Sequence, residues 1–192
     1  IDNLAKYARY FGLGEKTGIE LPSETSGELA SKENAEARSG TWYVGNILSA
    51  AIGQSDNDFS PLQMARYLSI LTNGGNRIDL SILKSVIKAD GTEVLRDEIE
   101  QYVDNKLGIK AANEQNLEIN KDNIKTVLEG MRSVAMERGG TAYNIFKNFN
   151  IEIGGKTGSA QTATTDVTAW FTGFAPFDDP EIAVVVMVEN GG

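Results

Sequence analysis

The sequence predicts an α+β fold in which helices flank an antiparallel β-sheet. Its strongest helix signal is Ser60-Pro61-Leu62-Gln63, which combines an N-cap, a proline at the first helical position and a capping-box glutamine. Three β-rich runs follow one another in residues 151–189, and the short turns between them suit antiparallel neighbours. The last run, Ile182–Val188, is apolar without alternation, so we expect helices to cover both of its faces.

Further elements follow from local patterns. Amphipathic spacing predicts helices over residues 2–11 and 120–138. Residues 81–89 are rich in Ile, Leu and Val and run into Asp90-Gly91, which predicts a β-hairpin completed by residues 92–95. Residues 25–40 are polar, and we expect an exposed loop with some helix there. Residues 97–118 are also polar, and we expect them to be irregular and on the surface.

Composition excludes several classes of function. The 192 residues are 41% hydrophobic and 23% charged, as in a globular domain with a substantial core. A net charge of −9 without a basic run disfavours binding to nucleic acid or to anionic membranes. The chain has no cysteine and no histidine, which excludes disulfides, zinc-thiolate sites and Ser-His-Asp catalysis within it. It also has no apolar run long enough to span a membrane.

The tripeptide Lys156-Thr157-Gly158 lies in the first of the three predicted strands. A cation, a hydroxyl and a glycine in succession can bind an anion, because glycine allows close approach of a ligand backbone. The tripeptide alone is weak evidence, and taken by itself it favours an exposed strand end with a surface lysine. A second copy, Lys16-Thr17-Gly18, follows a glycine-rich helix end and precedes a proline, which indicates a structural turn.

Four ordered blocks together resemble the transpeptidase domain of class B penicillin-binding proteins. Their hallmarks are Gly-Gly-Lys-Thr-Gly-Ser-Ala-Gln-Thr followed by Trp-Phe-Thr-Gly-Phe-Ala-Pro, the pattern Ile-Gly-Gln…Ser-Pro-Leu-Gln-Met-Ala…Asn-Gly-Gly, and Gly-Thr-Ala after a helix. The blocks cover residues 11–27, 42–75, 120–142 and 151–189. The Lys-Thr-Gly motif belongs to a set with Ser-x-x-Lys and Ser-x-Asn in these proteins and in β-lactamases. The resemblance implies the β-lactamase/transpeptidase fold, here incomplete.

Three other matches to that motif set are interpreted as coincidences. They are Ser55-Asp56-Asn57, Ser81-Ile-Leu-Lys84 and Ser85-Val-Ile-Lys88. A nucleophile motif needs a helix, which places serine and lysine one turn apart, whereas residues three apart on a strand point to opposite faces. The order along the chain is also reversed, since the family places the nucleophile before the Ser-x-Asn motif.

The resemblance implies an enzyme that cross-links peptidoglycan. A serine of the parent protein attacks a D-Ala-D-Ala stem peptide, forms an acyl-enzyme and passes the acyl group to an amine of a neighbouring stem, and β-lactams acylate the same serine. We expect residues 1–192 to be the C-terminal portion of this domain, with the nucleophile and the Ser-x-Asn motif before Ile1. The chain alone should then be soluble and inactive, and the parent anchored at the extracytoplasmic face of the bacterial membrane.

The same resemblance assigns roles to four residues. Lys156 and Ser159 are the catalytic candidates, since Lys156 supplies positive potential and the Ser159 backbone N–H donates to the oxyanion. Thr157 and the Ser159 hydroxyl hold the carboxylate of the substrate or β-lactam, and Gly158 leaves room for it. The partners are the stem peptide, β-lactams and the remainder of the same polypeptide. No metal, cofactor or nucleic acid is implied.

Two alternatives to this interpretation stay open. A β-lactamase or β-lactam sensor shares the fold and the motif set, but the Pro-Leu-Gln helix and the Gly-Thr-Ala block favour the transpeptidase. A transpeptidase-like domain could also serve as a non-catalytic binding module, and intact Ser-x-x-Lys and Ser-x-Asn motifs in the parent would disfavour that function.

Overall fold

The computed structural model describes residues 2–38, 40–78, 80–107, 119–161 and 166–191. This part of the chain contains helices α1 (Asp2–Tyr10), α2 (Lys32–Ala37), α3 (Val44–Ala51), α4 (Pro61–Thr72), α5 (Arg96–Leu107), α6 (Lys121–Met136) and α7 (Tyr143–Phe146). Its strands are β1 (Ser85–Ile87), β2 (Glu93–Leu95), β3 (Gly154–Gln161), β4 (Val167–Ala175) and β5 (Ile182–Val188). The predicted combination of antiparallel sheet and flanking helices is confirmed.

The larger sheet has the strand order β3-β4-β5, and both pairings are antiparallel. In this register Thr157 lies opposite Phe171, which in turn lies opposite Val186. The short connections in the sequence therefore predicted the topology of this sheet. Among the described residues β3 has a strand on one side only, so its other edge is free.

Helix α4 forms the centre of the core, and its capping box is present as predicted. Ser60 Oγ accepts from the Gln63 backbone N–H at 3.2 Å, and Gln63 Oε1 accepts from the Ser60 N–H at 2.9 Å. The fully buried Gln63 also donates through Nε2 to the carbonyls of Glu15 and Ser26, both at 2.7 Å. Gln63, which predicts the start of this helix, therefore also fixes the chain between α1 and α2.

The predicted hairpin is confirmed as β1 paired with β2, but the prediction for residues 97–118 is wrong in its first half. Residues Arg96–Leu107 form helix α5, while residues 108–118 lie outside the described part of the chain. The segment has little apolar periodicity, which is why it was predicted to be irregular. Its Glu, Gln, Lys and Leu residues favour a helix, and Asp97 and Glu98 stabilise the positive helix N-terminus.

The expectation that both faces of β5 are covered is also wrong for the described residues. Helix α4 packs against β5, where Ala183 and Val185 are half-buried. On the opposite face the side chains are 46–61% exposed, namely those of Ile182, Val184, Val186 and Val188. An unbroken apolar run predicts that a strand is suited to burial on both faces, but it does not identify the element that covers each face.

Candidate functional site

The four candidate residues lie in succession on β3, at the free edge of the sheet. Side chains alternate along a strand, so Lys156 and Gly158 belong to one face and Thr157 and Ser159 to the other. Lys156, Gly158 and Ser159 are exposed, and Thr157 is half-buried. The sequence motif therefore places an ammonium group and two hydroxyls along one accessible strand edge.

Two side-chain contacts show that the carbonyls of Thr157 and Ser159 point away from β4, toward the free edge. The Thr157 carbonyl accepts a hydrogen bond from Lys156 Nζ, and the Ser159 carbonyl accepts one from Gln54 Nε2 at 3.4 Å. In an antiparallel strand the N–H and C=O of one residue point to the same side. The Ser159 N–H therefore points to the free edge as well, where it can donate to a ligand oxygen.

The Thr157 hydroxyl has a partner on the neighbouring turn. Its Oγ1 lies 2.7 Å from Thr141 Oγ1, and either oxygen can be the donor. Lys156 Nζ instead bends onto the carbonyl of its own strand neighbour, Thr157. The ammonium, the paired hydroxyls and the outward N–H together form a set of donors that suits a carboxylate or another anion.

The glycines of β3 differ in the space that is available for a side chain. A Cβ on Gly154 would lie 2.3 Å from the Phe174 ring, and one on Gly155 would lie 2.8 Å from the Phe171 ring. A Cβ on Gly158 would only make ordinary contact, at 3.5 Å from Trp170 Cβ. The fold itself thus requires Gly154 and Gly155, whereas Gly158 keeps the outside of the strand open.

The turn that carries Thr141 is held firmly against α6. The Ala142 N–H donates to the Val134 carbonyl at 3.1 Å, and Ala142 is completely buried. A Cβ on Gly140 would lie 2.3 Å from that same carbonyl, so no other residue fits there without a shift of the backbone. Thr141 is exposed between these two anchored neighbours and reaches Thr157 across the gap.

An ion pair fixes α6 to the residues that lead into β3. Arg132 donates from Nε and Nη2 to the two carboxylate oxygens of Glu152, at 2.8 and 2.5 Å, and its guanidinium lies 5.7 Å from the centre of the Phe177 ring. These hydrogen bonds from Arg132 lower the pKa of Glu152 below its usual value. The ion pair between Arg132 and Glu152 therefore helps to hold β3 in place relative to α6 and the turn that carries Thr141.

The second Lys-Thr-Gly copy has an internal partner. The Thr17 N–H and hydroxyl donate to Glu24 Oε1 at 2.7 and 2.6 Å, and the Gly18 N–H donates to Glu24 Oε2 at 3.2 Å. Burial opposes ionisation of Glu24, but the hydrogen bonds from Thr17 and Gly18 outweigh it and lower the pKa of the carboxyl. The predicted structural role of Lys16-Thr17-Gly18 is confirmed, since its donors already hold a carboxylate of the chain.

The Ser55-Asp56-Asn57 sequence forms a turn with structural partners. Ser55 has a φ of 68°, and Asp56 Oδ2 pairs with Arg38 Nη2 at 3.0 Å. Asn57 Oδ1 accepts from the Ala30 N–H at 2.9 Å. Each of the three positions therefore serves the connection between α3 and α4.

Both Ser-x-x-Lys sequences lie outside any helix, as predicted. The Ser81 hydroxyl bonds to Glu20, and the Ser85 hydroxyl donates to Glu93 Oε1 at 2.6 Å across the β1–β2 hairpin. A lysine can act as the base for a serine when a helix places the two residues one turn apart. Neither of these serine–lysine pairs lies in a described helix.

No cluster of three or more His, Cys, Asp or Glu residues among the described ones could hold a metal ion. No described helix is both long and apolar enough to cross a membrane.

Sequence reasoning missed two neighbours of the candidate residues. The sequence indicates only a helix end at Thr141 and a loop at Gln54, yet both residues bond to β3. Neither position has a local signal for such a contact, because each is far from β3 in sequence and is brought to it by tertiary structure. The glycine next to each of them marks a turn, which was the one available indication.

Comparison with known families decides the class of this fold. The family described as "Penicillin binding protein transpeptidase domain" matches residues 1–192. The chain belongs to this family. The β-lactamase/transpeptidase type of α+β fold is confirmed by a crystal structure of Pseudomonas aeruginosa PBP2 in complex with WCK 5153. That structure matches with a TM-score of 0.82 at 30% identity, over 100% of this chain and 40% of the other.

Two further relatives show how much of such a protein this chain represents. "Peptidoglycan D,D-transpeptidase MrdA" of Haemophilus influenzae is 30% identical over 208 residues, which is 100% of this chain and 30% of the relative. PBP2 of Helicobacter pylori, solved in complex with MreC, matches with a TM-score of 0.74 at 28% identity, over 100% of this chain and 32% of the other. The chain therefore spans less than half of the length of each of these relatives.

Proposed function

We propose that this chain forms one wall of the active site of a peptidoglycan D,D-transpeptidase. Family membership supports the reaction class, and the free edge of β3 is the observation that carries the proposal. An ammonium, two hydroxyls and an outward N–H meet there within four consecutive residues, Lys156 to Ser159. This donor set suits a ligand with a carboxylate next to a carbonyl, as in a D-Ala-D-Ala terminus or a β-lactam.

The proposed reaction is acyl transfer in two steps. A serine oxygen of the whole protein bonds to the carbonyl carbon of the penultimate D-Ala, and the peptide bond breaks so that the terminal D-Ala leaves as a protonated amine. An amine of a second stem peptide then attacks the resulting ester, forms the cross-link and returns the proton to the serine. In each step the negative charge on the carbonyl oxygen needs a fixed donor.

Four residues of this chain contribute to these steps. Lys156 supplies positive potential and hydrogen bonds toward the Ser-x-Asn serine. Thr157 and the Ser159 hydroxyl hold the terminal carboxylate, while the Ser159 N–H donates to the oxyanion. Gly158 leaves space for the ligand, in keeping with its exposed position and the absence of any side chain of its own.

The remainder of the same polypeptide is the proposed partner of this chain. It supplies the nucleophile and the Ser-x-Asn motif, and residues 1–192 act as the C-terminal portion of a single domain. It also covers the exposed apolar face of β5, because four neighbouring aliphatic side chains favour burial over contact with water. The whole protein is membrane-anchored and acts at the extracytoplasmic face, where peptidoglycan is cross-linked.

Labelling with a fluorescent penicillin tests the proposal. The full-length protein and the 192-residue chain are incubated side by side, with unlabelled penicillin as competitor. We expect the full-length protein to be labelled and the label to be blocked by the competitor, because the drug acylates the active-site serine. We expect the 192-residue chain to stay unlabelled because it lacks that serine.

Other results identify the alternatives. Labelling of the 192-residue chain would mean that a serine within it is a nucleophile, which contradicts the proposal. Rapid loss of label from the full-length protein would indicate a β-lactamase, since a transpeptidase holds its penicilloyl ester. A folded full-length protein without any label would favour a non-catalytic binding module.

A further inference from the structure

We propose that Thr141 is a positioning residue that directs the hydroxyl proton of Thr157 toward the carboxylate of the ligand. This inference rests on the proposed function, in which Thr157 holds that carboxylate. Thr141 itself does not touch the ligand in this account. It acts only through the 2.7 Å contact between the two hydroxyl oxygens.

The number of protons in the two hydroxyls determines which of them donates when a ligand is bound. Each threonine hydroxyl has one proton to donate and two lone pairs that accept. The contact between Thr141 and Thr157 uses one of the two protons, and either oxygen can be the donor. A carboxylate can only accept, so Thr157 must keep its own proton for the ligand. Thr141 must then be the donor to Thr157 Oγ1.

The surroundings of Thr141 suit this role. Among the described residues, Thr157 is the hydrogen-bond partner of the Thr141 side chain. The flanking residues are fixed by the contact of Ala142 with Val134 and by the steric restriction at Gly140. A donor that is held in place costs little conformational entropy when the ligand binds. It also polarises the Thr157 hydroxyl, which strengthens the donation onward to a carboxylate.

The molecule already contains the same arrangement at Thr17. The Thr17 hydroxyl donates to the carboxylate of Glu24 at 2.6 Å and accepts from the Ile19 N–H at 3.4 Å. A threonine that donates to a carboxylate while it accepts another hydrogen bond is therefore present in this fold. Thr141 provides for Thr157 the donor that the Ile19 N–H provides for Thr17.

The test compares two ligands on three forms of the full-length protein: wild type, Thr141→Val and Thr141→Ser. The ligands are benzylpenicillin and its methyl ester, which lacks the negative charge. Valine keeps the branched shape of threonine without the hydroxyl, and serine keeps the hydroxyl. The measured quantities are the second-order rate constant of acylation and the melting temperature.

We expect Thr141→Val to slow acylation by benzylpenicillin about five- to tenfold, as the loss of one hydrogen bond in a charged network should. The same change should slow acylation by the ester by about twofold or less, because a neutral acceptor gains less from Thr157. Thr141→Ser should stay within about twofold of wild type with both ligands. The melting temperature should be unchanged in both variants, because Thr141 is exposed.

Two results would overturn the inference while leaving the proposed function intact. One is an unchanged rate in Thr141→Val, and the other is an equal loss with acid and ester, which indicates a general structural effect. If Thr141→Val does not fold, Thr141→Ala provides the same comparison of ligands. A wild-type protein that benzylpenicillin does not acylate would contradict the proposed function, and this inference with it.

Discussion

The two Lys-Thr-Gly copies of this chain have the same sequence and opposite environments. Thr17 is 4% exposed, and its hydroxyl and amide donate to the carboxylate of Glu24. Thr157 is half-buried on a free strand edge, and its hydroxyl contacts another hydroxyl, that of Thr141. The first copy has its anion within the chain, whereas the second presents the same donors to the outside.

The Lys-Thr-Gly tripeptide indicates which donors are present, but not which partner they bind. In both places a threonine hydroxyl is ready to donate to an oxygen, so the chemistry of the motif is a property of its residues. Whether that chemistry stabilises the fold or binds a ligand depends on the partner that tertiary structure supplies. A carboxylate seven residues away makes Lys16-Thr17-Gly18 structural.

Replacement of the two lysines should show the largest difference between the copies. In the full-length protein, Lys156→Ala should slow acylation by penicillin about a hundredfold, because it removes a fixed charge from the reacting centre. The matched control Lys16→Ala should leave the rate within about twofold of wild type, since this exposed lysine lies near the carboxylate of Glu24 and away from the proposed ligand site. Equal effects of the two changes on the acylation rate would contradict the account.

Two glycines of β3 should respond differently to replacement, because one leaves room for the ligand and the other is required by the fold. Gly158→Ala should slow acylation about tenfold through displacement of the ligand, while the melting temperature stays near that of wild type. The same change at Gly155, which precedes it on the same strand, should instead lower the free energy of unfolding by about 2 kcal/mol, because the new Cβ would overlap the Phe171 ring. Thermal unfolding and acylation rates measured on both variants provide the check. A strongly destabilised Gly158→Ala would mean that this glycine also serves the fold.

The smallest expected effect concerns Glu24, the internal anion of the first copy. Glu24→Gln should lower the free energy of unfolding by about 1 kcal/mol, since the Thr17 and Gly18 donors lose a charged acceptor at a partly exposed position. The acylation rate of the folded protein should not change. Chemical denaturation of wild type and variant at neutral pH measures the difference.

The stability that the contact between Glu24 and Thr17 provides should depend on pH. The pKa of Glu24 is lowered in the folded state, so its contribution is complete above the ordinary value of 4.5 and is lost as the pH falls through the lowered pKa. Wild type and Glu24→Gln should therefore converge in stability as the solution is acidified below that value. A difference in stability that does not decrease in acid would show that Glu24 is not the titrating group.

The sequence predicted those parts of the fold that have local signals. The capping box at Ser60 and Gln63 marked the start of α4, and Asp90-Gly91 marked the hairpin, because caps and tight turns depend on a few adjacent residues. The three strands and their antiparallel order followed from the short turns between them. The position of the Lys156-Thr157-Gly158 motif on a strand followed in the same way.

Features that depend on distant contacts were not predictable. Helix α5 has a polar sequence whose helical preference does not produce an apolar stripe, so periodicity missed it. The apolar run of β5 indicated burial but not which face is covered within these residues. The contacts of Thr141 and Gln54 with β3 join segments that are 16 and 105 residues apart, and no local pattern encodes them.

The most direct test of the account replaces the threonine of each copy by valine, which keeps the shape and removes the hydroxyl. The full-length Thr157→Val and Thr17→Val proteins are compared by acylation rate with benzylpenicillin and by melting temperature. We predict that Thr157→Val slows acylation about tenfold at an unchanged melting temperature, whereas Thr17→Val melts earlier and reacts normally while folded. A normal acylation rate in Thr157→Val, or a slow one in folded Thr17→Val, would contradict the assignment of the ligand site to the β3 edge.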